Sequence, residues 1–286
     1  MRIRLAHVDD FDWRELQHAF GSAEDAPRHL EALLRIDVDA RGAAVEFLRD
    51  KVSHDLTIYS AALPALLCVS SILDDPRIDG QYAVSADADD YERPLRAALL
   101  DWIRFVVVTA VEYSAHIALE GAEHWPEGDL STIEGILAAR SVILPKIQTC
   151  SEDPAPIVRR TAAEVLGEVL GAPELAAQRG RFAVRLTRSV RSDVAEARAS
   201  AAFILDRLGI SPAGLLRDEH PGVRACAAVS RTLDEDPAAI AEVQQVLADH
   251  RAIRTWFSNR PYPPTGTIVT ALERAAARRF GAFSRS

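Results

Sequence analysis

Four stretches of this 286-residue chain repeat one short pattern, in which a turn with an acidic residue or proline leads to an arginine and then to small apolar residues. They read Asp37-Val38-Asp39-Ala40-Arg41-Gly42-Ala43-Ala44, Asp153-Pro154-Ala155-Pro156-Ile157-Val158-Arg159-Arg160-Thr161-Ala162-Ala163, Asp193-Val194-Ala195-Glu196-Ala197-Arg198-Ala199-Ser200-Ala201-Ala202 and Asp218-Glu219-His220-Pro221-Gly222-Val223-Arg224-Ala225-Cys226-Ala227-Ala228. A recurring unit of this kind buries its apolar face only by stacking on its neighbours. Small residues let adjacent helices approach closely, and a turn Asp and a helix Arg can bond across the repeat boundary and satisfy free helix-end groups. The arginines Arg159, Arg198 and Arg224 are 39 and 26 residues apart, so the last repeat is shortened or the register slips.

The rest of the chain is patterned for helix. Leu95, Leu99, Ile103, Val106 and Ala110 follow spacings of three and four, as do Ala44, Leu48 and Val52, then Val158, Ala162, Val165 and Val169, then Ala197, Ala201, Ile204 and Leu208. Each set lines one helical face. No hairpin dipeptide joins two alternating runs, and the β-branched cluster Val106-Val107-Val108 lies inside a helical pattern. Ser131-Thr132-Ile133-Glu134 has capping-box form, Ser22-Ala23-Glu24-Asp25 is a looser version, and Pro221 suits a first helical turn. Breaks fall at Asp74–Asp90, with Pro76, Gly80 and an acidic string, and at about Gly121–Asp129.

The four segments resemble the D-x-x-x-x-V-R-x-x-A-A signature of HEAT repeats. A second resemblance covers about the first 75 residues: Asp12-Trp13, His18-Ala19-Phe20-Gly21-Ser22-Ala23-Glu24-Asp25-Ala26-Pro27, and later His54, Tyr59, Ala61 and Pro64. It is similar to the opening of uncharacterised actinobacterial HEAT-repeat proteins, except that Asp55-Leu56 follows His54 where their pattern has Gln-Gly. The resemblance implies a fold and transfers no activity. The expected fold is all-α, a right-handed α-solenoid (superhelix) of degenerate HEAT-type helix pairs. A single array is expected over 1–286, with an acidic surface loop at about 74–91 and a capping segment at about 250–286.

Charge is unevenly distributed. Residues 1–130 carry 12 basic against 25 acidic side chains, a net of −13, whereas 131–286 carry 21 against 17, a net of +4. That balance disfavours a general grip on nucleic acid. The charged opening Met1-Arg2-Ile3-Arg4 disfavours a secretory leader. The uncharged run Leu56–Leu73 carries Thr57, Tyr59, Ser60, Pro64, Ser70 and Ser71, so it reads as a buried helix and no membrane span is expected. Cys68, Cys150 and Cys226 stand far apart with no CxxC pair, which fits a reduced, cytoplasmic setting without disulfides or zinc.

No reactive constellation emerges. The two lysines, Lys51 and Lys146, lack P-loop context, and neither GxSxG nor GxGxxG occurs. The HEAT-like hydroxylase that modifies deoxyhypusine builds its iron site from paired His-Glu dipeptides. Here only the reversed pairs Glu123-His124 and Glu219-His220 occur, so no cofactor or metal is expected. Arg181, Arg185 and Arg188 share one helical face and, with Arg179 and Arg191, form a basic ridge. HEAT-like alkylpurine DNA glycosylases hold duplexes on such faces, and the bland alternative is a solvated or internally paired face.

The segment Trp256-Phe257-Ser258-Asn259-Arg260-Pro261-Tyr262 offers aromatic and arginine groups of the kind used as interface anchors, or else caps the open end of the array. Trp13 and Phe20 suit a cap at the other end, and His54 with Tyr59 an interhelical turn. The function expected is a non-enzymatic module that binds a protein or peptide, in an immunity or antitoxin-type role. The alternative is a glycosylase acting on alkylated bases. The candidate contact residues are Trp13, His54, Tyr59, Arg181, Arg185, Arg188, Trp256, Asn259, Arg260 and Tyr262.

Overall fold

The computed structural model describes residues 5–83, 94–190, 194–248, 253, 255–257 and 267–281. The chain divides into two compact units, Met1–Val169 and Leu170–Ser286, where the repeat pattern predicts one body. The boundary falls where buried apolar side chains thin out along the chain, since the next helix, Ala176–Ser189, buries only Ala183 and Leu186.

The first unit contains α1 (Ala26–Ala32), α2 (Val38–Phe47), α3 (Ala62–Ser71), α4 (Leu95–Glu120), α5 (Glu127–Thr149) and α6 (Pro156–Val169). The faces read from the sequence are the buried faces. Leu95, Leu99, Ile103, Val106 and Ala110 of α4 are fully buried, as are Val158, Ala162, Val165 and Val169 of α6. Valine and isoleucine are weak helix formers, by up to about 0.7 kcal/mol each relative to alanine. Burying each of them returns about 1.5–3 kcal/mol, so packing overrides propensity and α4 runs unbroken through Val106-Val107-Val108. α4 packs on α5 and α6, and α3 on α5. α2 continues into one π-helical turn, Leu48–Val52, which keeps Leu48 and Val52 on the buried side.

The second unit contains α7 (Ala176–Ser189), α8 (Ala195–Arg207), α9 (Pro221–Ala228), α10 (Pro237–Ala248) and α11 (Ile268–Phe280). Its core joins the small-residue faces of α8 and α9, through Ala199, Ala202, Ala225 and Ala228, to Val243 of α10 and Leu272 of α11. Trp256 and Phe257 pack half-buried against that core. Among the described residues both units are built from helices, apart from a small hairpin and an isolated bridge between Gln81 and Pro94. Gln17–His18 and Gly21–Ser22 form a two-residue antiparallel hairpin that the strand search misses, closed by Gly21 at φ 116°.

Three local expectations are corrected. Ser131 and Thr132 lie inside α5, where both hydroxyls donate to the Gly128 carbonyl, so they cap nothing. Asp25 precedes α1 but does not cap it; its carboxylate is taken by His18 and Lys51. The segment expected as a surface loop from residue 74 is tied down as far as Ala83. Ile78 and Tyr82 are buried, the Ala83 amide donates to the Val38 carbonyl, and the Arg41 guanidinium donates to the carbonyls of Arg77 and Gln81. Two apolar side chains suffice to anchor it, and residues 84–91 of that expectation lie outside the described residues. Pro221 does open α9, with the His220 ring accepting the Gly222 amide.

Three of the four motif arginines act on the turn before them, and Arg198 reaches across to the turn of the next repeat. Arg159 Nη1 donates to the carbonyls of Asp153 (2.8 Å) and Pro154 (2.9 Å), and Arg224 Nη1 to those of Asp218 (3.0 Å) and Glu219 (3.2 Å). Arg41 likewise reaches back to Arg35, six residues before it. The turn aspartates receive arginines from elsewhere: Asp153 pairs with Arg96 of α4, and Asp218 with Arg198 of α8, the latter in bidentate form at 2.8 and 3.0 Å. Each carboxylate also accepts a backbone amide of its turn, Ala155 for Asp153 and His220 for Asp218.

These pairs set a response to acid. Burial pushes the Asp218 carboxyl up, but the Arg198 bonds, the His220 amide and the nearby positive charge outweigh it and hold it below the ordinary carboxylate range. Burial likewise raises the Asp234 carboxyl, and the bonds and charges of Arg278 and Arg279 outweigh it and lower its pKa. A depressed carboxylate contributes stability that is fully present above its unfolded pKa and is lost as pH falls through the folded one. The urea midpoint of the second unit is therefore expected to hold steady from neutrality down to about pH 5 and to fall from about pH 4 downward. Asp218→Asn combined with Asp234→Asn should flatten that fall; an unchanged profile would refute the assignment.

No helix among the described residues is long and apolar enough to cross a membrane, and the Leu56–Leu73 run supplies the buried α3. Cys68, Cys150 and Cys226 are free and buried, and burial pushes the Cys68 thiol up to about 12.

Candidate interaction face

α7 follows a 3-10 turn at Pro173–Leu175 and turns Ala183 and Leu186 inward, with Leu175 and Val190 buried at its two ends. At 100° per residue, Arg181, Arg185 and Arg188 fall on the opposite side, and all three are exposed. Arg181 and Arg188 have no hydrogen-bond or ion-pair partner among the described residues. Val184 stands beside them, 61% exposed. Arg179 leaves the expected ridge, because its guanidinium donates to the carbonyls of Leu170 (2.7 Å), Gly171 (2.8 Å) and Ala172 (3.1 Å). It ties α7 to the turn before it and satisfies carbonyls that the turn leaves open. Arg191 lies outside the described residues.

Two open grooves of about 430 Å³ each flank this face and share Thr187, Leu205 and Ser211. One is lined further by Ala183, Val184, Arg188 and Ile210. The other reaches the Arg198–Asp218 pair and the exposed Arg217. The face thus presents several guanidinium groups beside two open hollows, one mainly apolar and the other lined also by Arg198, Arg217, Asp218 and Glu219. Those groups suit bidentate bonds to carboxylates, and the hollows suit an aliphatic or aromatic side chain.

The remaining candidates are placed elsewhere. Trp13 is buried, with its indole N–H donating to the Val8 carbonyl at 2.7 Å and its ring edge-on to Phe11. It belongs to the interior and offers no contact surface. His54 is partly exposed and packs against Phe20, with ring centroids 5.7 Å apart, and its Nε2 lies 3.3 Å from the Asp55 carboxylate. Tyr59 is half-buried at the end of the same turn. That turn carries Asp55 and Leu56 at φ 46° and 62°, strained values for non-glycine residues.

Trp256 is half-buried over α9, where a Cβ on Gly222 would approach Trp256 Cβ to 3.1 Å and the Phe257 ring to 2.5 Å, so glycine is required. The His220 and Phe257 rings stack at 5.1 Å. Asn259, Arg260 and Tyr262 lie outside the described residues. The structure therefore places Arg181, Arg185 and Arg188 on one helical face, leaves His54 and Tyr59 on a separate turn, and buries Trp13 away from both.

Sequence reasoning missed a polar knot around the small hairpin. The His18 ring is buried; its Nδ1 accepts the Phe20 amide (3.1 Å) and its Nε2 faces Asp25 Oδ1 (3.1 Å). Lys51 donates to the other Asp25 oxygen at 3.2 Å. Burial raises the Asp25 pKa, but the Lys51 and His18 bonds outweigh it and the carboxyl ends below its ordinary value. His29 stacks on Phe47 at 4.3 Å. With both His18 nitrogens engaged, no lone pair is left for a substrate proton, and the knot serves to fix the hairpin. His18, Phe20 and Asp25 all occur in the N-terminal stretch His18–Pro27 singled out in the sequence, and that was the available signal. Among the described residues, no group of three or more His, Cys, Asp or Glu side chains is placed to hold a metal ion.

The HEAT repeat family model matches residues 143–171. The match covers the end of α5, the turn at Asp153 and all of α6, including the Asp153–Arg159 motif. HEAT-repeat character is thereby supported for this segment. No curated protein and no solved structure matches the chain.

Proposed function

We propose that the chain is a cytoplasmic, non-enzymatic interaction module that binds a protein or peptide partner, with the outward face of α7 as its contact. Arrays of HEAT repeats present extended surfaces suited to such partners. The observation that carries the reading is the contrast among arginines. Arg41, Arg96, Arg159, Arg179, Arg198, Arg224 and Arg279 are bonded into the fold, whereas Arg181 and Arg188 stand exposed with no partner among the described residues, Arg188 on the rim of the mainly apolar groove. Such groups suit a partner that offers carboxylates around an apolar anchor. The net charge of −9 argues against a nucleic acid. The finer form of the reading is an immunity or antitoxin-type role, in which the acidic stretch 1–130 shields a basic enzyme surface.

The test is affinity purification of the tagged chain from its native cell, comparing wild type with the Arg181→Glu/Arg188→Glu pair. Reversing two charges at the centre of a contact is expected to weaken capture about 100-fold, some 2.7 kcal/mol. Equal capture by both forms would overturn the assignment of this face. Incubation with alkylated duplex DNA is the second arm, because abasic sites formed there would replace the reading with base excision.

A further inference from the structure

The first unit carries an element that its own packing leaves unused. The last buried residue of α4 is Ala110 and the first of α5 is Thr132; none of residues 111–131 between them is buried. With ten residues of α4 beyond Ala110, this antiparallel hairpin stands about 15 Å clear of the packed layer. Its tip is stiff. Gly121 ends α4 at φ 96°, where a Cβ would meet the Glu123 carboxylate at about 2.5 Å, and Trp125 packs edge-on against Tyr113 at 5.2 Å. Between Arg104 and Arg140 the sequence has no lysine or arginine and six carboxylates: Glu112, Glu120, Glu123, Glu127, Asp129 and Glu134. Leu119 is 84% exposed among them. An acidic hairpin with an exposed leucine is the complement of the α7 face in charge, and offers an apolar side chain for its groove.

We propose that the chain self-associates, the α4–α5 hairpin of one copy lying on the outward face of α7 of a second copy. In that contact Glu120 and Glu123 meet Arg181 and Arg188, and Leu119 enters the groove lined by Ala183, Val184, Leu205 and Ile210. Each copy carries both halves of the contact, so association gives closed dimers or longer chains. The proposal rests on α7 being a contact face and names what occupies it.

Sedimentation velocity of the full chain over a wide concentration range tests it. At about 0.05 M salt the wild type is expected to shift to dimers or larger species as concentration rises, and at about 0.5 M salt to stay monomeric, because exposed charges are screened. Glu120→Arg/Glu123→Arg and Arg181→Glu/Arg188→Glu should each abolish association. Combining all four in one chain should restore it, and mixing the two double variants should restore it as well, through contacts that alternate between the two variants. Leu119→Ser, at an exposed position that leaves the fold intact by circular dichroism, should weaken association at least about tenfold. A wild type that is monomeric throughout, or association that survives both charge reversals, would overturn self-association. If the chain is monomeric while capture of a native partner still depends on Arg181 and Arg188, the α7 face stands and only this occupant falls.

Discussion

Arg279→Ala is expected to destabilise the second unit by about 3 kcal/mol or more. The Arg279 side chain is 1% exposed and its Nη2 donates to the carbonyls of Ala228 (2.6 Å), Ser230 (3.2 Å) and Leu233 (3.2 Å), while Nε bonds Asp234 at 3.0 Å. It closes the C-terminal end of α9, whose last carbonyls have no partner within the helix. Burial pulls its pKa below the ordinary arginine value while Asp234 pulls the other way, so the environment charges a desolvation penalty that those bonds offset. Alanine leaves the Ala228 carbonyl without this donor, strips Asp234 of its most buried partner and opens a cavity, while the Ser230 and Leu233 carbonyls keep the amides of Leu233 and Asp236.

Lysine is not expected to rescue the loss, since one ammonium cannot span the same set of acceptors. Neighbouring Arg278→Ala, at a side chain that is partly in solvent and also bonds Asp234 and the Val229 carbonyl, should cost about 1 kcal/mol. Hydrogen exchange over residues 221–233 reads the difference by segment, which a chain of two units requires. Unchanged protection there would show that α9 is closed by other means.

Asp153→Ala and Asp218→Ala are expected to cost about 2–4 kcal/mol each, one in each unit. Both aspartates cap a turn amide and hold a mostly buried guanidinium, Arg96 in one case and Arg198 in the other. Losing the cap accounts for about 1 kcal/mol, and stranding the arginine for the larger share. Asparagine keeps the acceptor for the amide and loses the charge, so its effect should be about half as large. The losses should be local, with α6 exchanging faster in the Asp153 variants and α9 in the Asp218 variants. Equal acceleration across both units, or none, would mean that these turns do not carry the stability assigned to them.

Much of the architecture was legible in the order of residues. A 3.6-residue period needs no tertiary information, so the inward faces of α4, α6 and α8 follow from Leu95, Val158, Ala197 and their helical neighbours alone. The repeated Asp and Arg marked the turns that organise the stacking, and the HEAT repeat model matches the segment built around one of them. The exposed arginine face of α7 was also readable, because Arg181, Arg185 and Arg188 share the spacing that places Ala183 and Leu186 on the other side.

Only the tertiary structure decided which charges are spent inside the fold. Arg179 and Arg188 look alike in sequence, yet one reaches three carbonyls and the other reaches none among the described residues, because backbone acceptors nine residues away lie near the first only after the chain turns. Trp13, equally suited to a surface or an interior by its type, was settled by a bond to Val8. Ser131 and Glu134 had the form of a helix start, and α5 begins before them because Glu127 and Asp129 serve its first turn. Local order fixes period and turn chemistry; whether a polar group finds a partner depends on residues far along the chain, which no local pattern contains.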